Sequence, residues 1–232
     1  MSQFKPLTQF ATKGAASLQV GVILPDTTSS TRYVDFDAPY LNDAFADAGY
    51  TQAQYRIDNA QGSDATELDD ATADINLGAK VLIMDPLDGP TGVAIAQLAS
   101  SKGVTMISYD RATFQGSKTY YVSFNNEQVG ELIGQGFEAC IQSEGISKPQ
   151  VYVLNGGEDT DPNAISFATG YNKVVWSQPA KTVAAGATNS LGYKLVAENF
   201  APGWDNTKGG TIFQQTYTAH PSLASIVALI DG

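Results

Sequence analysis

Residues 103–111 read GVTMISYDR. Val104 to Tyr109 is a short apolar run with the length and β-branched flavour of a buried strand. Charge begins where the strand stops, at the adjacent acid and base Asp110 and Arg111. In an open α/β sheet ligands sit outside the carboxyl ends of the strands, which makes this pair a candidate ligand contact. A salt-bridged loop explains the same two residues as well, since exposed ion pairs are common and contribute little stability.

Upstream of this stretch the chain alternates between strand and helix patterns. Thr91 to Lys102 is a helix closed by Gly103, KVLIMDP a strand, and SDATELDDATADINLG a helix with a Ser or Asp cap and a loose apolar face of Leu68, Ala71, Ile75 and Leu77. QYRID is a short strand. Phe36 to Ala48 places Tyr40, Leu41, Phe45 and Ala48 on one helical face, and LQVGVILP, stopped by Pro25, is the first strand. DTTSSTRY between them is a polar loop. Residues 1–17 show no clear period and read as a tail.

Downstream, TYYVSF is a fifth strand that arrives after YDRATFQGSK with no room for a helix. A parallel crossover needs about a dozen residues or more. This strand is therefore expected not to continue the sheet in the same way, and a lobe boundary is placed near Tyr120 to Ser123. The alternation then resumes: a helix from Asn126 to about Glu144, strand PQVYVLN, helix Pro162 to Trp176, strand KTVAAG, helix Asn206 to Ala219 and strand LASIVALI. The pattern predicts an α/β protein of two Rossmann-like lobes with parallel sheets: a tail at 1–17, an N-terminal lobe at 18–121 and a C-terminal lobe at 122–232, with a cleft between the lobes.

Composition narrows the function classes. Thirteen Lys and Arg against 24 Asp and Glu give a net charge of -11, a field that disfavours nucleic acid and anionic membrane surfaces. The one cysteine, Cys140, excludes an intramolecular disulfide and thiolate clusters, and its helical context reads as a small buried residue. The one histidine, His220, removes most zinc and triad chemistry and reads as a capping or surface residue. MSQFKPLTQFATKGAAS has no apolar core of the signal-peptide kind.

Several motif-like patterns fail on context. Gly134, Gly136 and Ala139 have the GxGxxA spacing but lie inside a helix rather than at a strand-to-helix turn. Asp159, Asp161 and Asn163 match the start of a calcium loop, yet Ala164 and Gly170 stand where it needs Gly and Glu. LNGGEDT lacks a phosphate-loop lysine, and no GxSxG elbow occurs. No metal, cofactor or catalytic set is expected.

What remains is polar residues at strand ends: Arg32 with the Ser and Thr residues before it, Asp110 and Arg111, Asn125 and Asn126, Asp161 and Asn163, and Trp204. Carboxylates, amides and an arginine fork suit vicinal hydroxyls, and an indole suits the apolar face of a sugar. Each alone is also an ordinary turn, cap or core residue.

At these residues the chain resembles bacterial periplasmic sugar-binding proteins of the ribose- and xylose-binding type, the substrate-binding components of ABC transporters. The resemblance runs from about Leu18 to the end and rests on ISYDR (107–111), YVSFNNEQVGEL (121–132), NGGEDTDPNA (155–164) and HPSLASIVALIDG (220–232). TRY (31–33) and PGW (202–204) resemble the D-xylose-binding branch. The resemblance implies a type I periplasmic binding protein fold and a non-enzymatic protein that binds an aldopentose such as xylose, or a similar monosaccharide, for an ABC permease. Arg32, Asp110 and Arg111 would be first-lobe contacts, and Asp161, Asn163 and Trp204 second-lobe contacts. Asn125 and Asn126 would lie at the hinge or contact the ligand, with helix capping by Asn125 at least as good a reading as ligand contact. Location would be extracytoplasmic, with the leader absent from this chain.

Two departures accompany the resemblance. Ile230 and Asp231 stand where the family carries an Asn-Asp pair, and the family continues further to complete its second lobe and hinge. The chain is therefore expected to be a C-terminally shortened form whose unfinished sheet edges invite self-association. A non-binding fragment and an effector-type sugar-sensing domain are the rival readings. A hydrolase using Asp110 is a third, lacking any visible base or nucleophile partner.

Overall fold

The computed structural model describes residues 17–27, 32–113 and 120–220, and residues 226–230 as backbone. Residues 1–16 of the expected tail, residues 28–31 of the polar loop, residues 114–119, and residues 221–225 and 231–232 of the last motif lie outside the described residues. The chain divides into two compact units, one running to Ser123 and one starting at Phe124.

The first unit is a five-stranded sheet in the order β2-β1-β3-β4-β5. Its strands are β1 (Val20–Leu24), β2 (Tyr55–Asn59), β3 (Val81–Met84), β4 (Thr105–Tyr109) and β5 (Tyr120–Val122), all parallel. A π-helical turn (Tyr33–Asp37) leads into α1 (Ala38–Asp47), and α2 (Asp64–Leu77) and α3 (Gly89–Ser101) complete the crossovers. Side chains alternate across the sheet. Val20, Val22 and Leu24 pack with Phe45 and Tyr55 on the α1 face, while Ile23, Leu82 and Met84 pack with Ala71, Ile95 and Ala99 on the α2 and α3 face. Helices on both faces follow from right-handed connections that run one way from β1 to β2 and the other way from β2 to β3. The reversal puts a topological switch point between β1 and β3.

β5 corrects the sequence reading. It pairs parallel with β4, matching Ile107 to Tyr120, Ser108 to Tyr121 and Tyr109 to Val122, and so continues the sheet. The return needs no helix because β5 is only three residues long, about 10 Å. Ten linking residues are enough chain for that distance at ~3.3 Å per residue.

The second unit has a three-stranded parallel sheet, β7-β6-β8, built from β6 (Gln150–Gly156), β7 (Lys194–Ala201) and β8 (Ile226–Ile230). Helices α4 (Asn126–Ser143) and α5 (Pro162–Trp176) bury Phe137, Ile141, Tyr171, Val175 and Trp176 with Val151, Val153 and Leu195. α6 (Asn206–Ala219) brings Ile212 and Phe213 to Tyr152, Leu154 and Ala201. A methyl on Gly130 of α4 would overlap the Phe167 carbonyl of α5, and one on Gly170 would overlap the Glu127 carbonyl. These glycines exist for close helix–helix approach.

Two further sequence readings are revised. Lys181 to Gly186 is not a strand; the strand is Lys194–Ala201, and the earlier segment runs as a loop against it, with Val183 N–H donating to Glu198 Oε2 at 3.0 Å and Gly186 N–H to the Leu195 carbonyl. Glu198 and Asn199 hid this strand from a hydropathy reading, yet Asn155 and Tyr152 meet them across the sheet. Cys140 is exposed, because it lies off the buried α4 face of Gly130, Gly134, Phe137 and Ile141.

Candidate functional site

In the first unit the charged residues gather at the carboxyl ends of β1, β3 and β4. Asp110 follows β4 with φ of 61°, a left-handed conformation that costs energy for a residue with a Cβ. It forms the centre of a γ-turn, with Arg111 N–H donating to the Tyr109 carbonyl at 2.8 Å. β5 holds the turn in place: Asp110 N–H donates to the Val122 carbonyl at 2.9 Å and the Tyr121 hydroxyl donates to the Asp110 carbonyl at 3.0 Å.

The turn sends the two charges to different partners. Asp110 Oδ2 faces Arg32 Nη1 at 3.2 Å, and Arg32 Nε donates to Asp37 Oδ2 at 2.8 Å. Tyr109 hydroxyl donates to the other Asp37 oxygen at 3.0 Å. Arg111 is buried and directs Nη1 to Asp85 Oδ1 at 3.4 Å and to the Pro86 carbonyl at 3.1 Å. Asp85, fully buried at the end of β3, also takes a hydrogen bond from Tyr33. Burial pushes the Asp85 carboxyl up, against the pull of Arg111. Burial disfavours the Arg32 charge, but Asp110 and Asp37 outweigh it and leave the guanidinium more basic than usual.

The second unit assembles its own polar group around the start of α5. Asp161 caps that helix, its Oδ1 accepting from the Asn163 and Ala164 N–H groups at 2.7 and 3.2 Å. Its Oδ2 accepts from Trp204 Nε1 at 2.9 Å. Asn126 Nδ2 donates to Asn163 Oδ1 at 2.7 Å, which joins the first turns of α4 and α5. Asn125 is the N-cap of α4, accepting from Gln128 N–H at 3.2 Å. The Trp204 ring lies on the backbone of Gly156 and Gly157, where a methyl would overlap it, and meets Phe167 edge-on at 6.3 Å. That packing accounts for the glycines of LNGGEDT. Beyond Trp204, Leu154, Ala201 and Phe213 help line a cavity of about 300 Å³.

Within the first unit, then, Arg32, Asp110 and Arg111 come together; within the second, Asp161, Asn163, Trp204 and Asn126 do. Sequence reasoning missed Asp37, Tyr109 and above all Asp85. The signal for Asp85 was the one used for Asp110, an acid placed directly after the apolar run of KVLIMDP.

Buried charge at the strand ends beside a switch point is where ligand sites lie in open α/β sheets. The family model for the periplasmic binding protein domain matches residues 20–232, and the chain belongs to that family, one of binding proteins rather than enzymes. It is 27% identical over 181 residues to the D-xylose-binding periplasmic protein of Escherichia coli, covering 78% of this chain and 50% of that one. It is 33% identical over 159 residues to the multiple sugar-binding periplasmic protein SbpA of Azospirillum brasilense, covering 67% of this chain and 43% of that one. The chain thus spans about half the length of the curated relatives it matches.

Among solved structures, a carbohydrate transporter solute-binding protein from Chloroflexus aurantiacus in complex with D-glucose superposes with a TM-score of 0.69 at 27% identity, covering 87% of this chain and 61% of that one. The Caulobacter myo-inositol binding protein gives a TM-score of 0.72 at 20% identity, covering 93% and 66%, and shares the fold. The fold is that of type I periplasmic binding proteins. Among the described residues no helix is long and apolar enough to cross a membrane.

Proposed function

We propose that this chain binds a monosaccharide, an aldopentose such as xylose or a close analogue, as the extracytoplasmic substrate-binding part of an ABC transporter. The observation that carries the reading is the γ-turn at Asp110, which aims one carboxylate and one guanidinium from adjacent residues into a charged cluster at the ends of neighbouring strands. Arg32 and Asp110 offer a donor and an acceptor to adjacent hydroxyls, and Arg111 offers a fork already oriented by Asp85. Asp161, Asn163 and Trp204 supply the second set of contacts, with the indole covering an apolar sugar face. Asn125 and Asn126 serve at the hinge or as further sugar contacts, Asn125 also capping α4. The relatives' names support a sugar, and the xylose-binding ones favour a pentose.

Titrating the chain with pentoses and hexoses by calorimetry tests this. Saturable heat with at least one sugar is the expected result; silence across the panel from a folded chain overturns it. A second copy pairing along the β5 edge belongs to the same reading, since this edge strand exposes Tyr120 and Val122. Sedimentation should then show a concentration-dependent dimer; a monomer at all concentrations removes that part.

A further inference from the structure

The loop joining β3 to α3, residues 85–88, is gripped from two sides. On one side Arg111 donates to the Pro86 carbonyl and faces Asp85. On the other, Glu67 in the first turn of α2 accepts the Leu87 N–H with both carboxylate oxygens, at 3.1 and 3.3 Å. The Pro86 ring is packed against Gly92 of α3, where a methyl would overlap it. Glu67 has no exposed surface.

A buried carboxylate is costly, and any neutral acceptor could satisfy one amide. The position of the amide explains the choice of a long, two-oxygen acceptor. Leu87 lies two residues after Asp85, so fixing its N–H fixes the path of the strand end that carries Asp85 and the Pro86 carbonyl. Those two groups orient Arg111. We propose that Glu67 is a positioning residue for the binding site, locking the β3–α3 loop so that Asp85 and Pro86 present the Arg111 guanidinium to the sugar. This rests on the sugar-binding reading above.

Glu67→Ala and Glu67→Gln in the full chain test it. With a sugar that binds the wild type, Glu67→Ala should weaken affinity about tenfold or more, the scale of a buried donor left unmatched. Glu67→Gln, which keeps an acceptor, should recover most of that loss. Ile75→Ala, on the same helix and packed on the core, reports what destabilisation alone does and should leave affinity unchanged. Independently of any sugar, Glu67→Ala should speed exchange of the Leu87 amide and shift the Arg111 Nε–H resonance. If no sugar binds the wild type, the functional reading fails, and these two signals still judge Glu67. Unchanged Leu87 exchange and an unchanged Arg111 resonance overturn the proposal, as does equal loss of affinity in Ile75→Ala. Should Glu67→Ala not fold, a wild-type Leu87 amide exchanging as fast as an open loop contradicts it.

Discussion

Asp110 carries two burdens at once, a left-handed backbone and a carboxylate aimed at Arg32. They can be separated by substitution. Asp110→Asn keeps a residue that tolerates positive φ, so it should fold with near-normal stability while sugar affinity falls at least about tenfold on loss of a charge-assisted bond. Asp110→Val places a β-branched residue at the same φ and should lose about 1–3 kcal/mol in urea unfolding. Equal stability of the two variants would show that the turn stores no strain. Arg111→Met strands the buried Asp85 without its cation and should cost about 3–5 kcal/mol where Asp85 is ionised. At this scale the sequence was informative about which residues are chemical and silent about their pairing. Asp110 and Arg111 are neighbours in the chain, and only the γ-turn sends them to different partners.

Elements set the pH response. Burial pushes Glu67 up to about 8, though the Leu87 amide draws it down, and Asp85, Asp64 and Arg111 are the charges that face it. Burial, with Asp58 adding to it, pushes Asp74 up to about 7, and burial pushes Asp85 up to about 8. A carboxyl whose folded value exceeds its unfolded one binds more protons when folded, so its contribution is fully present below the unfolded value and is lost as pH rises through the folded value. For Glu67 that window runs from the ordinary carboxylate range to about 8. Glu67→Gln does not ionise, so its stability relative to wild type should improve from pH 5 to about 8 and level off above it in urea titrations, on the scale set by proton linkage. A difference that stays flat across that range would show that Glu67 titrates normally.

In the second unit, Gly170→Ala drives a methyl into the α4 backbone and should cost about 1–3 kcal/mol; a thermal midpoint unchanged from wild type would contradict the contact. The helices α4, α5 and α6 were legible from caps and apolar spacing, with Pro162 and Asn206 starting their helices as read. β7 was not, because Glu198 and Asn199 interrupt its apolar pattern and are matched only by partners distant in sequence. Loop length alone does not reveal the place of β5 in the sheet, because a strand of only three residues needs no long crossover.

For the whole molecule, alternation of strand and helix was enough to read two parallel α/β units, since each crossover imposes its own period and length on the chain. The site was half legible. Acids and amides at strand ends stood out, and Asp85 carried the same signal as Asp110, whereas Glu67 needed the fold that turns α2 onto the β3–α3 loop. If the charged cluster holds a sugar, as proposed, calorimetric titration with D-xylose and a panel of other monosaccharides should show saturable binding of at least one sugar by the wild-type chain, weakened at least about tenfold in Asp110→Asn. Binding that is identical in both chains, or no binding by a folded wild type, would contradict that proposal.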